Sequence, residues 1–192
     1  MTDFVKVLLV SVIGLGLGLL VSAYALSRSS PFDLVQLGPW EIAAHAGSID
    51  ADPYTRANLE RSGEIPLAIG EGLQLIARVD DDGRALDARC VYSVGPRVPA
   101  ARYWTLSLID LNGWPVDNLA ERYGFRSSEI LRAANGDFAI AVATEAQPGN
   151  WLPVGRSGRF ALALRLYDSP LGATASAIDR SAAPRVTRLG CG

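Results

Sequence analysis

His45 is the only histidine in the sequence, which removes most routes to imidazole chemistry at once. A zinc site built from several histidines is out of reach, and no HExxH or CxxC spacing replaces it. A Ser-His-Asp triad would need His45 as its base, and the G-x-S-x-G elbow that presents such a serine is absent. The segment around His45, Ala44 to Ser48, reads as a loop or an edge position. Asp80-Asp81-Asp82 offers oxygen ligands to a cation. A run of acids ending in Gly83 between two strands reads instead as a solvated hairpin tip. Asp110, Asp117 and Glu145 are carboxylates with no spacing that pairs them for acid-base work. No metal and no cofactor is expected from these residues, and they identify no catalytic set.

Arginine offers more. In "FALALRLY", Phe160, Leu162, Leu164 and Leu166 share one face of a strand, and Ala161, Ala163, Arg165 and Tyr167 share the other. The leucine face is core. On the small-residue face, the Arg165 guanidinium beside Tyr167 could bind a carboxylate, either a ligand's or one of the protein's own. Arg122-Tyr123 is a second arginine–tyrosine pair. Together Arg122, Tyr123, Arg165 and Tyr167 form the candidate ligand-binding set. Trp104 and Trp151 read as core. Trp151, in the Pro/Gly-punctuated stretch "QPGNWLPVG", is expected to fold from a loop over the open end of the core. On that reading Trp151→Ala should destabilise the protein markedly, and Asp81→Ala should not.

The net charge of −2 and scattered arginines make no basic stripe, which argues against a nucleic-acid partner. An apolar fraction of 49% is that of a globular chain. The start of the sequence differs in kind. Val7 to Leu26 is twenty uncharged residues, long enough to cross a hydrocarbon core. A cleavable signal peptide is the rival reading, with Ala23-Tyr24-Ala25 as its cleavage site. Gly14 and Gly18 sit at GxxxG spacing within the run.

The elements that must position these residues follow from punctuation and period. Residues 1–26 read as an anchor, 27–36 as a Pro-containing linker and 37–192 as one domain. Asp52-Pro53 starts a helix and Gly63 stops it, giving a helix from Pro53 to Ser62. A second helical stretch is read over Pro66 to Glu71, and a helical turn near Ser128 to Arg132. Elsewhere the period is two. "LQLIARVD" and "LDARCVYSVG" flank an Asp-Gly turn, "RYWTLSLID" runs into Asn112-Gly113, and "DFAIAVATE", "RFALALRLYD" and "PRVTRLGC" complete the strands. Many short strands with frequent turns mean a mainly β sandwich or barrel with one or two short helices.

Tyr103-Trp104-Thr105-Leu106, Asn112-Gly113, Asn118 with Arg122-Tyr123, Asn150-Trp151-Leu152-Pro153 and Phe160 to Tyr167 together resemble domain-of-unknown-function family 1214 (DUF1214), over about Trp40 to Ser169. The resemblance implies a jelly-roll-like β-sandwich. It also implies a departure, because the family's domain often follows a partner domain in a longer chain, and here an apolar segment precedes it.

The function expected is that of a binding or structural module of the cell envelope. It would be a single-pass protein of the bacterial inner membrane with its C-terminal domain in the periplasm. Its partners would be the membrane through the helix, and an envelope protein or small molecule. The alternative is a hydrolase or isomerase-like enzyme using an Arg/Tyr/carboxylate cleft. Export to an oxidising compartment pairs an even cysteine count, so Cys90, within a strand, and Cys191, on the closing strand, are expected to form a disulfide.

Overall fold

The apolar run folds as one helix, α1 (Thr2–Leu26). Its Asp3–Tyr24 span has a mean hydropathy of 2.5 and is 0% buried against the rest of the chain. A helix of this length and composition is able to cross a membrane, and a signal sequence meets the same description. The computed structural model describes residues 2–26, 34–43, 45–62, 65–68, 70–155, 158–170 and 182–192. The linker residues 27–33 and the helix stop at Gly63 lie outside the described residues.

The second helix, α2 (Pro53–Ser62), has the bounds its punctuation predicts. Asp52 caps it: Oδ1 accepts the Tyr54 and Thr55 amides at 2.9 and 3.2 Å, and Oδ2 accepts the Thr55 hydroxyl at 2.5 Å. Two expected helical pieces do not form. In the stretch read from Pro66 to Glu71, residues 65–68 are irregular and 70–71 turn directly into a strand. Ser127 to Glu129 make a turn that does not continue.

Among the described residues ten strands build two sheets. They are β1 (Leu34–Leu37), β2 (Trp40–Ala43), β3 (Gly72–Ala77), β4 (Cys90–Gly95), β5 (Tyr103–Ile109), β6 (Gly124–Arg126), β7 (Ile140–Ala143), β8 (Asn150–Pro153), β9 (Ala161–Tyr167) and β10 (Arg185–Cys191). The six-stranded sheet runs β1-β2-β3-β9-β5-β6 and the four-stranded sheet β10-β4-β7-β8. Every pair is antiparallel except β7 with β8. Leu34 to Gln36, read from sequence as linker, are already strand.

Alternation supplies one apolar layer from each sheet. Leu75, Leu106, Leu108, Leu162 and Leu164 from one sheet meet Tyr92, Val94, Ile140, Val142 and Leu152 from the other in a single core. Aromatic rings cross between them: Tyr92 meets Phe160 edge-on at 5.8 Å, and Trp104 stacks on Phe138 at 5.2 Å. Trp104 is therefore core, as expected. The most deeply buried indole is Trp40, fully buried, with Nε1 donating to the Pro184 carbonyl at 2.6 Å.

Trp151 is not the plug. Asn150 to Pro153 form edge strand β8 rather than a loop, and period two turns Asn150 and Leu152 inward and Trp151 outward. Its ring is half-buried against the outer side of the sheet, with Nε1 donating to the Ala143 carbonyl at 3.0 Å. That carbonyl also accepts the Val154 amide at 3.1 Å, so loss of the indole does not orphan it.

The acidic turn is also different from its expectation. A tight turn does form, with the Asp80 amide on the Arg84 carbonyl and Gly83 at φ 79°. But the flanking strands part company: β3 joins one sheet and β4 the other, so residues 78–89 are the corner between them. At that corner Asp80 is buried, its side chain fully enclosed. Its Oδ1 accepts the Asp82 and Arg84 amides at 3.1 and 2.8 Å, and Oδ2 lies 2.8 Å from Arg188 Nε. Asp81 reaches across to β10, accepting the Val186 amide at 3.0 Å and the Thr187 hydroxyl at 3.1 Å and pairing with Arg185 at 3.3 Å. Only Asp82 is a solvated tip, with 68% of its side chain exposed.

Asp81→Ala is therefore expected to lower the unfolding free energy by about 1–2 kcal/mol, the usual cost of leaving acceptor-dependent donors at a partly covered seam. Urea unfolding checks it. A midpoint equal to that of the unsubstituted protein would return Asp81 to the solvated reading.

Candidate functional site

The outer face of the six-stranded sheet is where the Arg165 prediction is tested. Register alone fixes its neighbours. Arg165 on β9 pairs with Gln74 on β3 and with Thr105 on β5, and Thr105 pairs in turn with Arg126 on β6. Directly paired residues project to the same side of a sheet, so Gln74, Arg165, Thr105 and Arg126 make one row. The next row contains Tyr167 and Tyr103, whose rings are 5.9 Å apart and tilted. On the other side, Ile76, Ala163, Ser107 and Gly124 lie in register. Leu67 closes the tyrosine end, its Cδ1 lying 3.2 Å from where a Cβ on Gly72 would stand.

Arg165 is half-buried, and Nε donates to Gln74 Oε1 at 2.6 Å. No carboxylate of the protein's own braces it among the described residues, and an amide stands in that place. Acids nearby are engaged elsewhere. Glu41 holds Arg78 at 2.7 Å, and Asp168 holds Arg102 at 2.6 Å.

The four sequence-predicted residues divide into two groups. Arg165 and Tyr167 share the face. Arg122 and Tyr123 precede β6 and point elsewhere: the Arg122 guanidinium lies 4.7 Å over the Phe125 ring, which faces the core, and the Tyr123 carbonyl accepts the Leu108 amide at 2.9 Å. The arginine that joins Arg165 is Arg126, two-thirds exposed and paired with Glu129 at 3.6 Å. The signal for it was the three-residue alternation Gly124-Phe125-Arg126, too short to be read as a strand until its partner β5 is known.

Other residues of the stretches that carry the family resemblance hold the fold together. Asn118 clasps its own loop, with Oδ1 accepting the Arg122 amide at 3.1 Å and Nδ2 donating to the Val116 and Arg122 carbonyls at 3.2 and 3.0 Å. Asn150, 5% exposed, accepts the Leu131 amide at 2.8 Å and donates to the Leu131 and Ala139 carbonyls at 2.9 and 3.0 Å. Asp110 organises the Asn112-Gly113 turn by accepting the Asn112 and Trp114 amides at 2.8 and 2.9 Å. Burial there pushes the Asp110 carboxyl up, and these amide bonds outweigh it, so it ends below its ordinary range.

Among the described residues no group of three His, Cys, Asp or Glu side chains is placed to hold a metal ion. His45 sits exposed in a turn. The carboxyl most lowered is Asp87, to about 2, by hydrogen bonds from the Arg89 side chain and amide. It belongs to a surface pair at 3.0 Å, with no cleft chemistry attached. Cys90 and Cys191 face each other in the β4–β10 register and form a disulfide that closes a separation of 101 residues.

Comparison with known proteins gives fold and family. The VPA0106 protein from Vibrio parahaemolyticus has a similar structure, with a TM-score of 0.61 at 17% identity over 77% of this chain. A putative uncharacterized protein from Burkholderia cenocepacia aligns at 18% identity over 76% of this chain and 45% of its own, with a TM-score of 0.40. This chain spans 39% of the Vibrio protein, well under half its length. No curated protein matches the sequence. The profile of one family matches residues 71–171, from the end of the β2–β3 connection past β9, and the chain belongs to that family, described as protein of unknown function (DUF1214).

Proposed function

We propose that this chain is a membrane-tethered binding module, with α1 as a single-pass anchor in the bacterial inner membrane and the two-sheet domain in the periplasm. One combination carries the reading: an apolar helix with none of its span buried, in the same chain as a domain closed by a disulfide. The helix needs a bilayer to cover it, and the disulfide needs an oxidising compartment to persist. The anchor ends at Leu26 and the domain begins with β1 at Leu34, so the tether between them is short. Binding is favoured over catalysis because the register sets Gln74 and Thr105, not an acid, beside Arg165.

Fractionation tests it. The protein is expected to remain with membranes through carbonate washing, and its intact mass without reductant is expected to show no alkylatable thiol. Soluble protein beginning near Leu26 would overturn the anchor, and two free thiols would overturn the compartment.

A further inference from the structure

We propose that the Arg165–Arg126 row on the outer face of the six-stranded sheet docks an extended acidic segment of a partner protein. The inference rests on the binding-module reading above and adds the chemistry of the partner.

The first ground is unspent charge. A guanidinium carries five N–H groups. At Arg165 one of them serves Gln74, and among the described residues no carboxylate takes the others. A half-buried arginine in the middle of a sheet is an uncommon place for a cation without a counter-ion. Arg126 stands two strands away on the same row, and among the described residues its only acid is Glu129 at the loose distance of 3.6 Å, with both side chains well exposed. Such a pair is easily exchanged for a better one. The row is thus net positive, and an anionic partner complements it.

The second ground is register. The row crosses the sheet between the Tyr103 and Tyr167 rings on one side and Ala163, Ser107 and Gly124 on the other, with Arg165 half-buried and Arg126 exposed. Small ligands are held in concave pockets that enclose most of their surface. Two arginines spaced along one row suit an extended chain instead. Arg165 and Arg126 are separated by about 10 Å at their α-carbons, two interstrand spacings, while side chains at i and i+2 of an extended segment repeat at about 7 Å. Two flexible arginines reach two such carboxylates, each by paired N–H bonds. The tyrosine rings then meet the aliphatic stems of the same segment.

The test uses the full chain in detergent micelles and a fluorescein-labelled peptide of alternating Glu and Ser, with alternating Gln and Ser as the control. The acidic peptide is expected to bind, more weakly as salt is raised, and the control not to bind. Arg165→Gln is expected to weaken binding about tenfold and Arg126→Gln a few-fold. Arg165→Lys should restore part of the loss, which a merely structural role for Arg165 would not predict. Arg97→Gln, which breaks an exposed pair with Asp137 elsewhere, should bind as the unsubstituted chain does. Equal binding of both peptides would overturn the proposal, as would an unaffected Arg126→Gln, which is exposed enough to fold normally. Free glutarate binding as tightly as the peptide would overturn the assignment to a peptide. Carbonate-extractable protein that still binds the acidic peptide would overturn the anchor alone.

Discussion

Replacing Asp80 with alanine is expected to lower the unfolding free energy by about 3–5 kcal/mol, the range for removing one partner of a buried ion pair. The reasons are local and additive in direction. The carboxylate is fully enclosed and lies 2.8 Å from Arg188, whose side chain is only 16% exposed. Arg188 also lies over the Tyr92 ring at 5.4 Å and donates to the Ala85 carbonyl at 2.8 Å. Without Asp80 the guanidinium loses its paired carboxylate and stays among these neighbours, and the Asp82 and Arg84 amides lose their acceptor. Asp80→Asn keeps one acceptor oxygen and should lose less. Asp82→Ala, at the exposed tip, should change stability by no more than about 0.5 kcal/mol. Urea unfolding of the three variants, with unchanged m-values, checks the ranking. Equal small losses at positions 80 and 82 would show that the corner does not depend on the buried pair.

The same corner shows what local sequence reading reaches and where it stops. The turn at Asp80 to Gly83 was legible, because Asp-Gly with flanking alternation needs only neighbouring residues. The fate of its strands was not. Whether β3 pairs with β4 or with β9 depends on partners some ninety residues away, and alternation reports which face is apolar without reporting whose edge it meets. Helix α2 succeeded for the opposite reason: an Asp cap and a proline act within one turn of chain.

The candidate face was half legible on the same principle. Period two put Arg165 and Tyr167 on the non-leucine side of β9, and the register places them there. Arg122 was chosen as half of a second arginine–tyrosine pair, yet its backbone serves the Asn118 loop clasp. Arg126 was passed over because a three-residue strand has no period of its own. Trp151 failed differently. A proline two residues on suggested a loop, but β8 is an edge strand, where a missing amide donor does little harm.

Removing the disulfide by Cys90→Ala with Cys191→Ala is expected to cost about 2–4 kcal/mol, below the ~4–5 kcal/mol that chain entropy alone assigns to a closed loop of this size. The shortfall has a structural cause. β10 is held upstream of the bond by contacts that do not need it: Asp81 takes the Val186 amide and Thr187 hydroxyl, Arg188 pairs with Asp80, and Trp40 donates to Pro184. The register shifts between Arg188 and Gly190, and beyond that bulge the strand is exposed. Loss of the bond therefore frees the segment after Arg188 in the native state, and the freedom gained there offsets part of the entropy gained by the unfolded chain. Hydrogen exchange separates the two regions. In the double variant the Gly192 amide, bonded to the Arg89 carbonyl at 3.0 Å, should lose its protection, while the Val186 amide should keep most of its own. Urea unfolding gives the total. A full 4–5 kcal/mol loss with both amides still protected would show that the bond acts on the unfolded chain alone. Joint loss of both amides would show instead that it is the pin for all of β10.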